Sequence, residues 1–470
     1  MEDRITRRQF IGATVGGAAA LAGVGKLRVA GAAEPDPFKP FPTKIVVRKV
    51  YLAKPVPTWP TPKLDVRAEI RKIEAWLAEL GKKAPDVEFV GGELLRVSGD
   101  VPGFKAAVGE PDGILIFNLT STVGHLLGAI VDFGFPTIMF SQPYSGHDWS
   151  MVAGLQKAGK KVDVLASSDY HDILKGLAVF RTIKRLKETR ILYLRNGGPS
   201  ENYVKDARQK IGPEIVTIDH KRLLDAYNAV DPKEAEPDAD AWIKGALKVV
   251  EPTREEIVKS SRLYLAMKNV MREEAARGIA INCLGLFYRG ALPAYPCLGF
   301  SRLNSMGRAG MCEADLDSTL THFMFLYLVG KPGFISDPVV DTATNTVIHA
   351  HCVAATKMDG PDGREDPYII RSHLEDDKGA ALQVKMRIGQ VITAAKLINL
   401  DTMLVSTGKI IDTPDVDRGC RTKITTAVAD AQKIMENYTG GLHRVIFYGE
   451  HVREIKRLAH FMPFNVVEEG

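Results

Sequence analysis

The chain has 470 residues, 25% charged and 45% hydrophobic, with a formal net charge of +5. Residues 1–33 hold five basic side chains (Arg4, Arg7, Arg8, Lys26, Arg28) and two acidic ones (Glu2, Asp3), so the remainder is close to balanced, at about +2. No Lys/Arg stripe with interleaved aromatics occurs, so a nucleic-acid partner has no support. The roughly 437 residues after position 33 suffice for two or three domains with their own cores.

Taken in order, residues 1–33 read as an export signal. Thr6-Arg7-Arg8-Gln9-Phe10-Ile11 is a twin-arginine motif, an Ala/Gly/Val/Leu run follows to about Gly25, and Ala30-Gly31-Ala32 offers small residues for cleavage. The apolar run is too short and Gly-rich for a membrane anchor, so no span is expected once the signal is removed. A periplasmic location through the twin-arginine route, which carries folded proteins, is the expectation. The five cysteines (Cys283, Cys297, Cys312, Cys352, Cys420) form no C-x-x-C pair and no disulfide framework. Most read as small buried apolar residues. They leave no ligand set for haem, iron–sulfur or redox-disulfide chemistry.

Residues 34–168 read as an N-terminal α/β domain. A strand is expected at 44–48 and a helix at 67–80 that stops at Gly81. Strands at 113–117, 136–140 and 162–165 then alternate with helices at 123–133 and 149–158. Strand, helix, strand at this spacing means βαβ units and a mostly parallel sheet. A second α/β domain, 169–330, has a helix at 171–187, strands at 190–194 and 214–218, an acidic loop at 231–240 and a long helix at 254–278. Its next strand, 279–283, leads into the central segment. Gly197-Gly198 after a strand reads as a simple βα turn, because neither G-x-G-x-x-G nor G-K-[ST] is present. Residues 331–470 read as a mainly antiparallel β domain, barrel or sandwich, with strands at 346–350, 381–386, 390–393, 403–406 and 445–448. Helices are expected there at 427–438 and 451–460. The fold class is therefore α/β: two parallel-sheet α/β domains followed by a mainly antiparallel β domain.

The stretch from Cys297 to Cys352 carries the only dense set of potential metal ligands. Glu313 is expected where a Gly-rich loop (Gly307, Gly310) turns into an apolar helix at about 314–329. Asp337 follows the turn Gly330-Lys331-Pro332-Gly333 and the run Phe334-Ile335. His349 and His351 flank Ala350, so on a strand both imidazoles point to one face. Two carboxylates and an imidazole on different elements suit a hard divalent cation with open positions, Mn²⁺ or Mg²⁺ sooner than structural zinc. Each also has a plainer reading. Glu313 fits an N-terminal helix carboxylate favoured by the helix dipole, Asp337 before Pro338 a turn former, and His443 a surface residue at a strand start. His147-Asp148 and Arg302 are polar groups of the kind that bind sugar hydroxyls, with a structural role the plainer alternative. His322, inside the apolar helix, reads as a hydrogen-bonded core residue.

The segment from Ile279 to the C-terminus resembles the L-fucose/L-arabinose isomerase superfamily. The resemblance rests on Cys312-Glu313-Ala314-Asp315, on Asp337 placed 24 residues after Glu313, on His351-Cys352, on Gly419-Cys420-Arg421, and on Leu442 to Gly449. It implies Glu313 and Asp337 as metal carboxylates that also move the protons, His443 as a third ligand, and His351 as a fourth ligand or a group behind the ligands. It also implies a carbohydrate substrate, Mn²⁺ or another divalent cation, and a homo-oligomer, trimer or hexamer. The expected activity is aldose–ketose isomerisation, or a related enolisation, by proton transfer through an enediol. Two alternatives stand beside it: a metal-dependent hydrolase or lyase on a glycoside, and a periplasmic sugar-binding protein on a degenerate isomerase scaffold.

Overall fold

The computed structural model describes residues 36–195 and 197–470, so the twin-arginine segment lies outside the described residues. Its first sheet is built from β1 (Ile45–Leu52), β2 (Val87–Leu95), β3 (Gly113–Asn118), β4 (Thr137–Ser141) and β5 (Val162–Ala166), all parallel, in the order β2-β1-β3-β4-β5. Every residue of β3 and β4 is buried, as their continuous apolar runs require in a sheet covered on both faces. β2 was not expected. It is an edge strand, half-buried, and Gly91-Gly92 breaks its alternation where the register to β1 shifts. The helix Val66–Lys83 runs through Gly81, the residue expected to end it. Pro85 stops it instead: Ala84, the residue before proline, leaves the helical region (φ −127°, ψ 65°).

The second sheet comprises β6 (Arg190–Leu194), β7 (Glu214–Thr217), β8 (Gly278–Ile281) and β9 (Ala309–Met311), parallel, in the order β7-β6-β8-β9. The chain leaves β6 for β7 on one side and returns to β8 on the other, so the ends of β6 and β8 frame a crevice of the kind where open α/β sheets bind ligands. The acidic segment at 231–240 is not a loop. It begins the helix Pro232–Gly245, capped by Asp231, with Pro232 in its first turn and Pro237 inside it. Ala235, Ala239 and Trp242, spaced one helical turn apart, bury one face; Glu234 and Asp240 lie on the exposed side, and Asp238 is paired with Arg302. The helix Arg254–Glu273 is shorter than expected, because Ala275 turns with positive φ into β8.

The third sheet closes on itself. β10 (Phe334–Asp341), β11 (Thr346–His351), β14 (Val391–Ile398), β15 (Thr402–Asp412), β16 (Thr422–Val428) and β17 (Arg444–Tyr448) pair antiparallel in the order β14-β17-β10-β11-β16-β15. β14 and β15 pair again to complete the barrel. β18 (Asn465–Glu468) adds in parallel outside β15, and β12 (Tyr368–His373) with β13 (Lys378–Val384) forms a separate hairpin. The helix expected at 427–438 is only Ala431–Glu436, capped by Asp430. The Thr- and Ile-rich residues before it are drawn into β16, paired on both sides. Among the described residues, no helix is long and apolar enough to cross a membrane.

One buried ion pair holds the start of β17. Arg444 is 2% exposed and Glu469 1%. Arg444 Nε and Nη2 donate to the two carboxylate oxygens at 2.9 and 2.5 Å. Glu469→Ala leaves that guanidinium buried without its counter-charge, so it should destabilise the fold by about 3 kcal/mol. A denaturation midpoint unchanged by the substitution would contradict this.

Candidate metal centre

β9 ends at the second sheet's edge, and Cys312-Glu313-Ala314 follow as one tight turn. Glu313 (φ 57°) and Ala314 (φ 54°) both adopt the left-handed conformation, which disfavours residues with a Cβ by about 1–2 kcal/mol each. Strain in two successive residues persists only where surrounding contacts hold it. The apolar helix therefore begins at Leu316, not at Ala314, and Glu313 stands outside its first turn. Asp315 caps the helix Leu316–Val329, its Oδ1 accepting from the Ser318 amide at 2.9 Å. Its Oδ2 accepts from Lys396 Nζ at 2.6 Å, His443 Nδ1 at 2.8 Å and Ser318 Oγ at 2.9 Å. Burial works against the charged form, but His443 and Lys396 hold the Asp315 carboxyl far below the usual range.

The barrel supplies the other groups. Asp337 lies on β10 opposite Ala350 of β11, His351 closes β11, and His443 immediately precedes β17. His443 Nε2 stands 3.3 Å from Asp337 Oδ1 and 3.5 Å from Glu313 Oε2. Glu313, His351 and His443 offer ligand atoms that all lie within 4.8 Å of one another. The four residues singled out in the sequence are thus brought together. His349 is not among them. It shares a strand face with His351, but two residues' advance along β11 places it against Ser336 Oγ, 3.2 Å away, and burial lowers its pKa to about 3.

Three buried polar atoms in this cluster make no hydrogen bond: Asp337 Oδ1, His351 Nε2 and His443 Nε2. Groups of this kind cost about 1–3 kcal/mol each when left without a partner. Their convergence, together with the Glu313 carboxylate, fits a hard divalent cation with two carboxylates and imidazole nitrogen. The charges fit as well. Burial, and next Asp337, push the Glu313 carboxyl up, although His443 opposes them. Burial works against the imidazolium of His443, but Asp315, Asp337 and Glu313 outweigh it and raise its pKa to about 9. Without a cation, His443 itself carries the positive charge that three carboxylates demand.

A cavity of about 430 Å³ opens over Glu313, Asp315 and His443. Its other wall is Tyr193, Arg195, Ser200 and Tyr203, at the end of β6. Tyr203 was not singled out in the sequence; its hydroxyl donates to Asp317 Oδ1 at 2.6 Å. A larger cavity of about 1070 Å³, bounded by Lys160, Lys184 and Phe461 among others, holds none of the clustered ligands and lies away from the chemistry. The remaining candidates are structural. Asp148 Oδ1 accepts from the Gly124 amide at 2.9 Å, and His147 packs on Trp59. Arg302 pairs with Asp238 at 3.0 Å and lies over the ring of Trp242. His322 is fully buried, with Nε2 2.9 Å from the Arg308 carbonyl and Nδ1 accepting from the Gly333 amide, as a core histidine should be. All five cysteines are free, four of them buried.

Sequence comparison adds to this geometry. The chain is similar to sulfoquinovose isomerases. One from Clostridium sp. is 22% identical over 306 residues, a match covering 62% of this chain and 66% of the relative. Those of Priestia aryabhattai and Priestia megaterium are each 22% identical over 302 residues, covering 61% of this chain and 66% of theirs. The match spans just under two thirds of the length of these relatives. No family model matches the chain.

The raised pKa of His443 has a consequence for stability. Its proton is bound more tightly in the folded chain, at about 9, than in the unfolded one, at about 6.5. The stabilisation is fully present below about pH 6.5 and is lost as pH rises through about 9. In metal-stripped protein the melting temperature should fall over that window, and His443→Gln should flatten the fall. Parallel pH profiles for the two proteins would contradict the assignment.

Proposed function

We propose that this protein is a divalent-cation-dependent sugar isomerase that interconverts an aldose and a ketose. The reading is carried by three buried atoms that make no hydrogen bond, on Asp337, His351 and His443 (the first and last an ion pair 3.3 Å apart), gathered beside Glu313 under an open cavity. Two separate likenesses support it: the sulfoquinovose isomerases found by comparison, and the resemblance of the C-terminal half to the L-fucose/L-arabinose isomerase superfamily.

Isomerisation moves a proton between C2 and C1, and the C2 hydrogen is a poor acid until the neighbouring carbonyl is polarised. Glu313, Asp337 and His443 would hold Mn²⁺ or a similar cation, which supplies that polarisation as a Lewis acid. Glu313 lines the cavity, so its carboxylate is the group placed to take the carbon-bound proton. Asp337 lies behind it, beside His443, and relays protons between oxygens. Asp315 keeps the His443 ring oriented, and Tyr203 shapes the opposite wall. Among the described residues, Arg195 is the one guanidinium or ammonium group in that wall. It suits a substrate with an anionic substituent, in keeping with the name of the relatives. We further read the chain as exported by the twin-arginine pathway and, from the superfamily resemblance, as a homo-oligomer.

The test is proton exchange in D₂O. Mn²⁺-loaded protein, incubated with sulfoquinovose and separately with neutral aldoses, should form ketose and place deuterium on the carbon next to the carbonyl. Glu313→Gln and Asp337→Asn should each lower that rate by about 10²–10⁴-fold. Cleavage of glycosides without exchange would replace the isomerase by a hydrolase or lyase.

A further inference from the structure

The cavity of about 1070 Å³ takes no part in the chemistry described above. It lies under the first sheet, where Asp112, Pro136 and Lys161 lead into β3, β4 and β5. The end of the helix Ile173–Lys187, residues 208–212 and residues 459–466 close its other sides. Ligands of open α/β sheets ordinarily enter at the opposite, carboxyl ends of the strands. This is a separate place on the molecule.

Its charge is one-sided. Seven lysine and arginine side chains line it against two carboxylates, Glu110 and Asp112, in a chain whose charge after residue 33 is only about +2. Four of the seven are answered. Lys184 pairs with Asp112 and Lys160 with Asp132, both at 2.7 Å, Lys210 with Asp206 at 3.3 Å, and Lys456 with Glu468. The other three are not. Among the described residues, Lys161 and Lys187 have no carboxylate in ion-pair reach, and Arg208 donates only to main-chain carbonyls, of Lys187 at 2.9 Å and of Gly212.

The backbone holds two of these cations together. Ala207–Ile211 is a single π-helical turn, a rare form that is frequent at functional sites. Gly212 follows with φ 121°, and a Cβ there would lie 3.0 Å from the Lys187 amide nitrogen. Glycine is what lets the segments carrying Arg208 and Lys187 approach so closely. Behind them Ile211, Phe461 and Phe464 are buried, and apolar walls of this kind concentrate the field of a one-signed cleft. The helix dipole accounts for a lysine at position 187, at the end of its helix. It does not account for Lys161, which precedes a strand.

We propose that this cavity binds a small anion bearing two or more phosphate or sulfate groups, held by Lys161, Lys187 and Arg208. Three cations without counter-charges call for more than one negative group. The volume is at the upper end for small-molecule sites and exceeds what a single phosphate fills. Neither the cation nor the sugar of the metal centre enters this site.

The test is calorimetric titration of the metal-stripped full chain, at fixed ionic strength, with inorganic tripolyphosphate, ATP and orthophosphate in turn. Tripolyphosphate should saturate one site per chain and bind at least about tenfold tighter than orthophosphate, since it reaches at least one more cation. Lys161→Gln/Lys187→Gln should weaken it by about 10²-fold, tenfold for each charge-assisted contact removed. That double variant should melt, without ligand, no lower than wild type, because neither lysine pairs with a carboxylate. Lys82→Gln/Lys409→Gln removes the same charge from exposed positions elsewhere and should bind as wild type does. ATP binding as tightly as tripolyphosphate, or more so, would support an organic phosphate whose body lies on the apolar wall; weaker ATP binding would support an inorganic one. Absence of saturable binding, or equal weakening in the two double variants, would overturn the site while leaving the isomerase reading untouched.

Discussion

The carboxylate of Asp315 is the contact on which the site depends. It caps the helix that follows the second sheet, through the Ser318 amide. It also receives Lys396 from β14 and His443 from the start of β17. One side chain thus joins the α/β layer to the barrel and sets which nitrogen of His443 faces the carboxylates. Lys396 is 4% exposed, and Asp315 meets solvent only at the floor of the cavity, so the pair is largely cut off from water. Charges buried in this way are tolerated only when each is hydrogen-bonded and paired. Asp315, with four donors, meets that condition.

Glu313 and Asp337 do not meet it. They stand near His443 with poor hydrogen-bond geometry, one of their oxygens is buried without a partner, and the turn that presents Glu313 is strained at two positions. A well-satisfied support beneath an unsatisfied, strained cluster is the pattern expected of a binding centre, where affinity for a ligand offsets what folding leaves unfavourable. The cavity lies on the same side, at the end of β6 where the second sheet reverses its winding. Cluster, strain and crevice are independent observations, and they coincide.

Much of this is legible in the sequence because the chemistry is local there. Continuous apolar runs such as Gly113 to Phe117 can hardly be other than buried parallel strands, and they are. Glu313, Asp337, His351 and His443 were found from residue type and resemblance, and they do converge. What escaped is what depends on tertiary partners. Pro and acidic residues at 231–240 resemble a loop until Trp242 and its neighbours find a surface to bury. Thr422 to Val428 becomes a strand because β11 and β15 flank it. Asp315 sits two residues from Glu313 in the same Cys-Glu-Ala-Asp stretch. Its role appears only when Lys396 and His443, 81 and 128 residues away, arrive beside it.

The most direct measurement of the central claim is a crystal structure of the Mn²⁺-soaked protein with anomalous data collected at the manganese edge. The account predicts one strong anomalous peak about 2–2.3 Å from carboxylate oxygens of Glu313 and Asp337 and from His443 Nε2. A fully soaked crystal with no peak there, or with its only peak elsewhere, would contradict it.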